Sequence, residues 1–152
     1  MKAKLIKPSI DKEKSIWIAE IGEARLGCNI KIGWTLLLKE NHYKLVYSNY
    51  FIVYPVLELD YQYFFDHISD AISNFSEYSS ILSRFPTEEI MRTVFSKSPS
   101  SYWPEKAMDW LNFNKPLQLK LLPELEQFAI NKAMPQSARN RARSMIDRAL
   151  AP

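Results

Sequence analysis

From Asp60 onward apolar residues return every three or four positions, at Tyr61, Phe64, Phe65, Ile68, Ala71, Ile72 and Phe75, which is the period of a helix with one face turned inward. Asp60 stands where such a helix takes its N-cap. The opposite face reads Tyr63, Asp66, His67, Asp70, Asn74 and Glu77 at the same spacing, so its carboxylates gather on a single exposed ridge. A shorter helix is predicted near 78–84, and Thr87 opens another with Glu88 and Glu89 in its first turn, where the helix dipole favours negative charge. Residues 98–101 form a loop. Pro104 then suits the first turn of a helix on which Trp103, Ala107, Trp110 and Leu111 share one side, the pattern of a packed face rather than of a ligand platform. Residues 117–132 are helical with Leu122, Leu125, Phe128 and Ala129 inward, and Pro123 either opens a fresh turn or kinks the helix. The closing segment carries the stripe Ala138, Ala142, Met145, Ile146 and Ala149, with Arg139, Arg141, Arg143 and Arg148 off it.

The first 57 residues give a different pattern. The stretch "SIDKEKSIWIAEIGEARLG" reads as a helix that stacks Trp17, Ile18, Ile21 and Arg25 on one side and stops at Gly27. "CNIKIGWTLLL" alternates, placing Cys28, Ile30, Ile32, Trp34, Leu36 and Leu38 on one side, which is the period of a strand. "KENH" supplies a turn and "YKLVYSNYFIVYP" a second strand; residues 28–54 also fit a buried helix, because short apolar runs do not separate the two. The resulting expectation is an α+β, mostly α-helical fold. An N-terminal helix and a β-hairpin (1–57) precede a bundle of five or six short helices (58–152), all in one domain, the alternative being an all-α solenoid of helical hairpins.

Composition narrows the function classes. The chain has 152 residues, 47% of them hydrophobic, enough to bury a core without disulfide or metal. One cysteine, Cys28, rules out an internal disulfide and fits a reducing, cytoplasmic setting. The basic N-terminus lacks the apolar core of a secretory signal, and charged residues and prolines break every apolar run well short of the ~20 residues of a membrane span. The net charge of +3 is unevenly spread: residues 1–56 carry nine Lys/Arg against five Asp/Glu, residues 57–90 one against seven, and residues 115–152 seven against three. Both ends are basic and the middle is acidic, which bears on partners rather than on fold.

The catalytic inventory is thin. His67 lies between Asp66 and Asp70, but no serine or cysteine motif frames a nucleophile beside it. Three glycines at 22, 27 and 33 build no phosphate-cradling loop, and His-x-x-x-His or Cys-x-x-Cys spacing does not occur. The reading is therefore of a protein that is not an enzyme, with no catalytic residues, no metal and no cofactor. Two binding features are left. Tyr43, Tyr47, Tyr50, Tyr54, Tyr61 and Tyr63 crowd into 21 residues that end where the acidic segment begins, and tyrosine suits interfaces as well as strands. The arginines of the last helix could meet phosphate, although one carboxylate, Asp147, opposes them and no aromatic residue interleaves.

With "ARLGCNI" near its front, "SSYWPEKAMDWL" in its last third and "PQSARNRARSMI" in its final helix, the chain resembles the small bacterial immunity proteins of contact-dependent growth inhibition and other polymorphic toxin systems. The resemblance implies a protein without catalytic activity that binds one cognate toxin domain, with a nuclease as the expected kind, and covers its active site or substrate-binding surface. Inhibitors of basic nucleases commonly offer an acidic patch; the net charge of +3 departs from that pattern, unless the acidic ridge alone supplies the complementarity. The expected partner-binding residues are Tyr63, Asp66, Asp70, Glu77, Glu88 and Glu89. The other function weighed is a nucleic-acid-binding or regulatory protein that uses the basic terminal segments.

Overall fold

The computed structural model describes residues 2–152, and the chain divides into two compact units, Met1–Pro86 and Thr87–Pro152. The first unit opens with five strands, β1 (Ala3–Ile10), β2 (Ser15–Ile21), β3 (Ala24–Asn29), β4 (Gly33–Leu38) and β5 (Asn41–Lys44). They form one antiparallel meander in chain order. A run of 3-10 turns over Tyr47–Glu58 follows, then α1 (Tyr61–Asn74), a short 3-10 turn at Ser76–Tyr78 and α2 (Ser79–Leu82).

This sheet overturns the expected fold. No N-terminal helix is present: the stretch assigned to it is the end of β1, all of β2 and most of β3. Residues 15–19 are buried without interruption, so Trp17, Ile18 and Ile21 belong to a strand covered on both sides, a pattern that mimics helical spacing over so few residues. Gly22 and Glu23 make a two-residue hairpin turn between Ile21 and Ala24, with Gly22 at φ 60°. Gly27 stops nothing. It pairs with Trp17 and Thr35 in mid-sheet, where a Cβ would come within 2.0 Å of the Ile16 carbonyl oxygen and 2.8 Å of the Trp17 ring, so only glycine lets the indole lie across β3.

The two-stranded hairpin is likewise replaced. The alternation over 28–38 is shared by β3 and β4 with a loop at 30–32 between them, and the second strand is only Asn41–Lys44. The amide of Asn49 ends β5: its side chain accepts from the Val46 N–H at 2.8 Å and donates to the Lys44 carbonyl at 2.9 Å, turning the chain into the 3-10 run. Pro55 within that run has no N–H for a ladder. A five-stranded sheet also excludes the all-α solenoid.

One face of the sheet, built from Ile16, Ala19, Ile21, Ala24, Leu26, Cys28, Trp34 and Leu36, is buried. The 3-10 run and α1 pack on β1 and β2, and α2 packs on β4. Polar anchors tie that helical layer down: Trp34 Nε1 donates to the Ile81 carbonyl at 2.9 Å, and the Tyr78 hydroxyl donates to the Lys14 carbonyl at 2.8 Å. On the other face Trp17 is buried, its Nε1 donating to Asp11 Oδ2 at 2.8 Å and its ring centroid 5.7 Å from that of His42.

The second unit is all helical, with α3 (Thr87–Lys97), α4 (Tyr102–Leu111), α5 (Lys115–Lys120), α6 (Leu122–Ile130) and α7 (Gln136–Leu150). The described residues thus hold seven α-helices where five or six were expected, the predicted 117–132 helix being broken at Leu121, with Pro123 in the first turn of α6. Helices α6 and α7 form a hairpin, while α3 packs on α4 and α6. The core includes Met91, Val94, Met108, Trp110, Leu111, Leu125, Phe128, Ala142 and Met145. Trp110 is therefore a packing residue, and Trp103 is half-buried.

Candidate partner-binding surface

Helix α1 begins at the Asp60 cap, whose carboxylate accepts the Tyr63 N–H, and turns Phe64, Ile68 and Ala71 inward. That orientation leaves Tyr63, Asp66 and Asp70 exposed on the outer side, and Glu77 exposed in the 3-10 turn that follows. Asp66 accepts a hydrogen bond from Gln62 Nε2 at 2.7 Å, and Asn74 Nδ2 bonds the Asp70 backbone carbonyl rather than its carboxylate. Among the described residues no ion pair involves Asp66, Asp70 or Glu77; those present use Glu20, Glu88, Glu124 and Asp109. The last turn of α1 holds no basic residue. Asp70 and Glu77 thus lie at and just beyond the negative end of the helix dipole, where fold stability favours cations.

His67 does not join this ridge. It is half-buried and turned to the sheet, with Nε2 3.0 Å from the Ile18 carbonyl oxygen. Glu88 and Glu89 belong to the second unit. Glu88 is part of a network in which Arg92 bonds it and Glu124 at 2.7 Å each, with Lys120 3.8 Å away. The Arg92 hydrogen bond holds the Glu88 carboxyl below its ordinary value. Glu89 is exposed. Of the clustered tyrosines, Tyr43, Tyr47 and Tyr63 are exposed and Tyr54 is buried, so the cluster is divided between surface and core.

The terminal arginines are largely used within the second unit. Arg139 Nε donates to the Met134 carbonyl, Arg141 to the Glu105 carbonyl and the Asp109 carboxylate, and Arg143 to the Ala129 carbonyl and the Asn140 side chain. They fasten α7 to α4 and α6. Burial pushes the Cys28 thiol up to about 12, leaving it protonated and a poor nucleophile. Among the described residues no group of three His, Cys, Asp or Glu side chains could hold a metal ion, and no helix is long and apolar enough to cross a membrane.

One organised feature was not found in the sequence. Asn29 is buried at the end of β3 and its amide makes four hydrogen bonds, donating to the Glu13 carbonyl and Ser15 Oγ and accepting from the Lys31 and Ile32 N–H groups. It locks the β1–β2 turn to the β3–β4 loop. The signal was present as an asparagine between apolar strand residues, a position that requires partners. No family model, no curated protein and no solved structure matches the chain.

Proposed function

We propose that the protein is a binding module that neutralises a cognate toxin domain in the cytoplasm by occupying its active site or substrate-binding surface, without catalysis of its own. The observation that carries this reading is the placement of Asp66, Asp70 and Glu77: all three are exposed and in no ion pair among the described residues, and Asp70 and Glu77 sit at the helix end where a cation would stabilise α1. Charges that the fold does not reward are suited to meeting a basic surface, and Tyr63, 58% exposed on the same ridge, supplies an aromatic anchor. The working surface comprises Tyr63, Asp66, Asp70 and Glu77; Glu88, already held by Arg92, contributes to packing.

The engagement of Arg139, Arg141 and Arg143 with their own unit leaves the nucleic-acid reading with less free cationic surface than the sequence suggests. Co-expression with the toxin domain encoded directly upstream tests the proposal. Cells should grow only when both are made; equal killing with and without this protein would sink it.

A further inference from the structure

At one end of the sheet the turn between β1 and β2 and the loop between β3 and β4 form a single rigid tip. Beyond the four Asn29 bonds, the Ile30 N–H donates to the Lys14 carbonyl. The side chains displayed there are an unusual combination: Ile30 and Ile32 are 39% and 44% exposed, and Lys12, Lys14 and Lys31 are exposed and in no ion pair among the described residues. Of the two acids in the turn, Asp11 is occupied by the Glu13 and Ser15 N–H groups and by the Trp17 indole, while Glu13, between Lys12 and Lys14, is exposed and in no ion pair among the described residues. A buried amide that spends its full bonding capacity on a loop of exposed aliphatic and cationic side chains preorganises a contact surface. The Tyr78 hydroxyl, bonded to the Lys14 carbonyl, joins this tip to the segment that carries Glu77.

We infer that the tip is the second half of the partner interface, and that it fits an apolar hollow rimmed by carboxylates on a folded protein. The inference rests on the partner-binding reading of the α1 ridge. It commits to a protein because the combined surface is bipolar: a membrane or a nucleic acid, negative throughout, would be attracted at the lysines and repelled by Asp66, Asp70 and Glu77. The tip also has no arginine and no aromatic residue, the groups that usually read bases.

The test uses two labelled peptides in fluorescence anisotropy at low salt, one alternating Glu and Leu and the other Lys and Leu. The acidic peptide should bind, and the combined change Lys12→Glu, Lys14→Asn, Lys31→Glu should weaken it by about tenfold or more. Asparagine is chosen at position 14 because φ there is 66°, a conformation asparagine tolerates. Ile30→Ser with Ile32→Ser should weaken it as well. The basic peptide should ignore these changes and be lost on Asp66→Lys with Asp70→Lys. Acidic-peptide binding that is absent, or indifferent to the tip variants, overturns the tip assignment. Binding of phosphatidylglycerol vesicles or a short DNA duplex as tightly as the acidic peptide overturns the choice of a protein partner. A basic peptide indifferent to the ridge variants overturns the ridge reading and leaves the tip standing.

Discussion

At the scale of single residues, two backbone positions decide more than their neighbours. A methyl group at residue 27 would meet the Ile16 carbonyl oxygen at 2.0 Å, and that neighbour is backbone that cannot swing aside. Gly27→Ala should therefore cost about 3 kcal/mol, the upper range for overpacking, read as a lowered denaturation midpoint. Lys39 presents the opposite case. It opens the two-residue turn between β4 and β5 at φ 57°, the same position that Gly22 fills without strain in the turn between β2 and β3. Lys39→Gly should raise stability by up to about 1 kcal/mol, since the relief of strain exceeds the added freedom of the unfolded chain. The Cys28 thiol, buried and pushed up to about 12, should react with a disulfide reagent only at the rate of global unfolding.

At the scale of elements, the β1–β2 turn makes a pH prediction. Burial acts to raise the Asp11 carboxyl, but hydrogen bonds from the Ser15 N–H, the Trp17 indole and the Glu13 N–H outweigh it and hold the group below 3.8. Its contribution to stability is thus present above the unfolded value of 3.8 and is lost as pH falls through the lower folded value. Asp11→Asn should start less stable at neutral pH and show a shallower loss on acidification, as followed by thermal melts. The same segment explains what the sequence left illegible. The α1 periodicity over Tyr61–Phe75 was long enough to define a helix, its cap and its exposed acids, and the stripe of α7 was equally readable. Residues 15–21 were not, because a strand buried on both faces loses its alternation, and the indole of Trp17, held by Asp11 across Gly27, takes its place only once β1, β2 and β3 have paired. His67 was misassigned for a related reason: it borders the apolar stripe, and only the sheet beneath, through the Ile18 carbonyl, draws it inward. The exposure of Tyr63, Asp66 and Asp70 could be read from helical spacing, whereas Glu77 lies beyond the end of α1, where that spacing no longer applies; the Asn29 tip could not be read, since its two loops meet only through the sheet.

At the scale of the whole molecule, charge separates side chains that hold the fold together from those that the proposed function assigns to a partner. Arg92, Arg141 and Arg143 are joined to carboxylates or carbonyls within the second unit, whereas the carboxylates of α1 and the lysines of the β1–β2 turn are in no ion pair among the described residues. Association through the α1 ridge should weaken as salt rises, chiefly through a slower on-rate. The most direct measurement is calorimetric titration of the toxin domain encoded directly upstream, the partner proposed above, with the variant carrying Asp66→Lys, Asp70→Lys and Glu77→Lys, alongside its melting temperature. Lysine at 70 and 77 suits the C-terminal end of α1, while Asp66→Lys gives up only the exposed Gln62 hydrogen bond in mid-helix, so the variant should melt within about 1 kcal/mol of the wild type while toxin affinity collapses. Unchanged affinity in a variant that remains folded would contradict the assignment of this ridge as the binding surface.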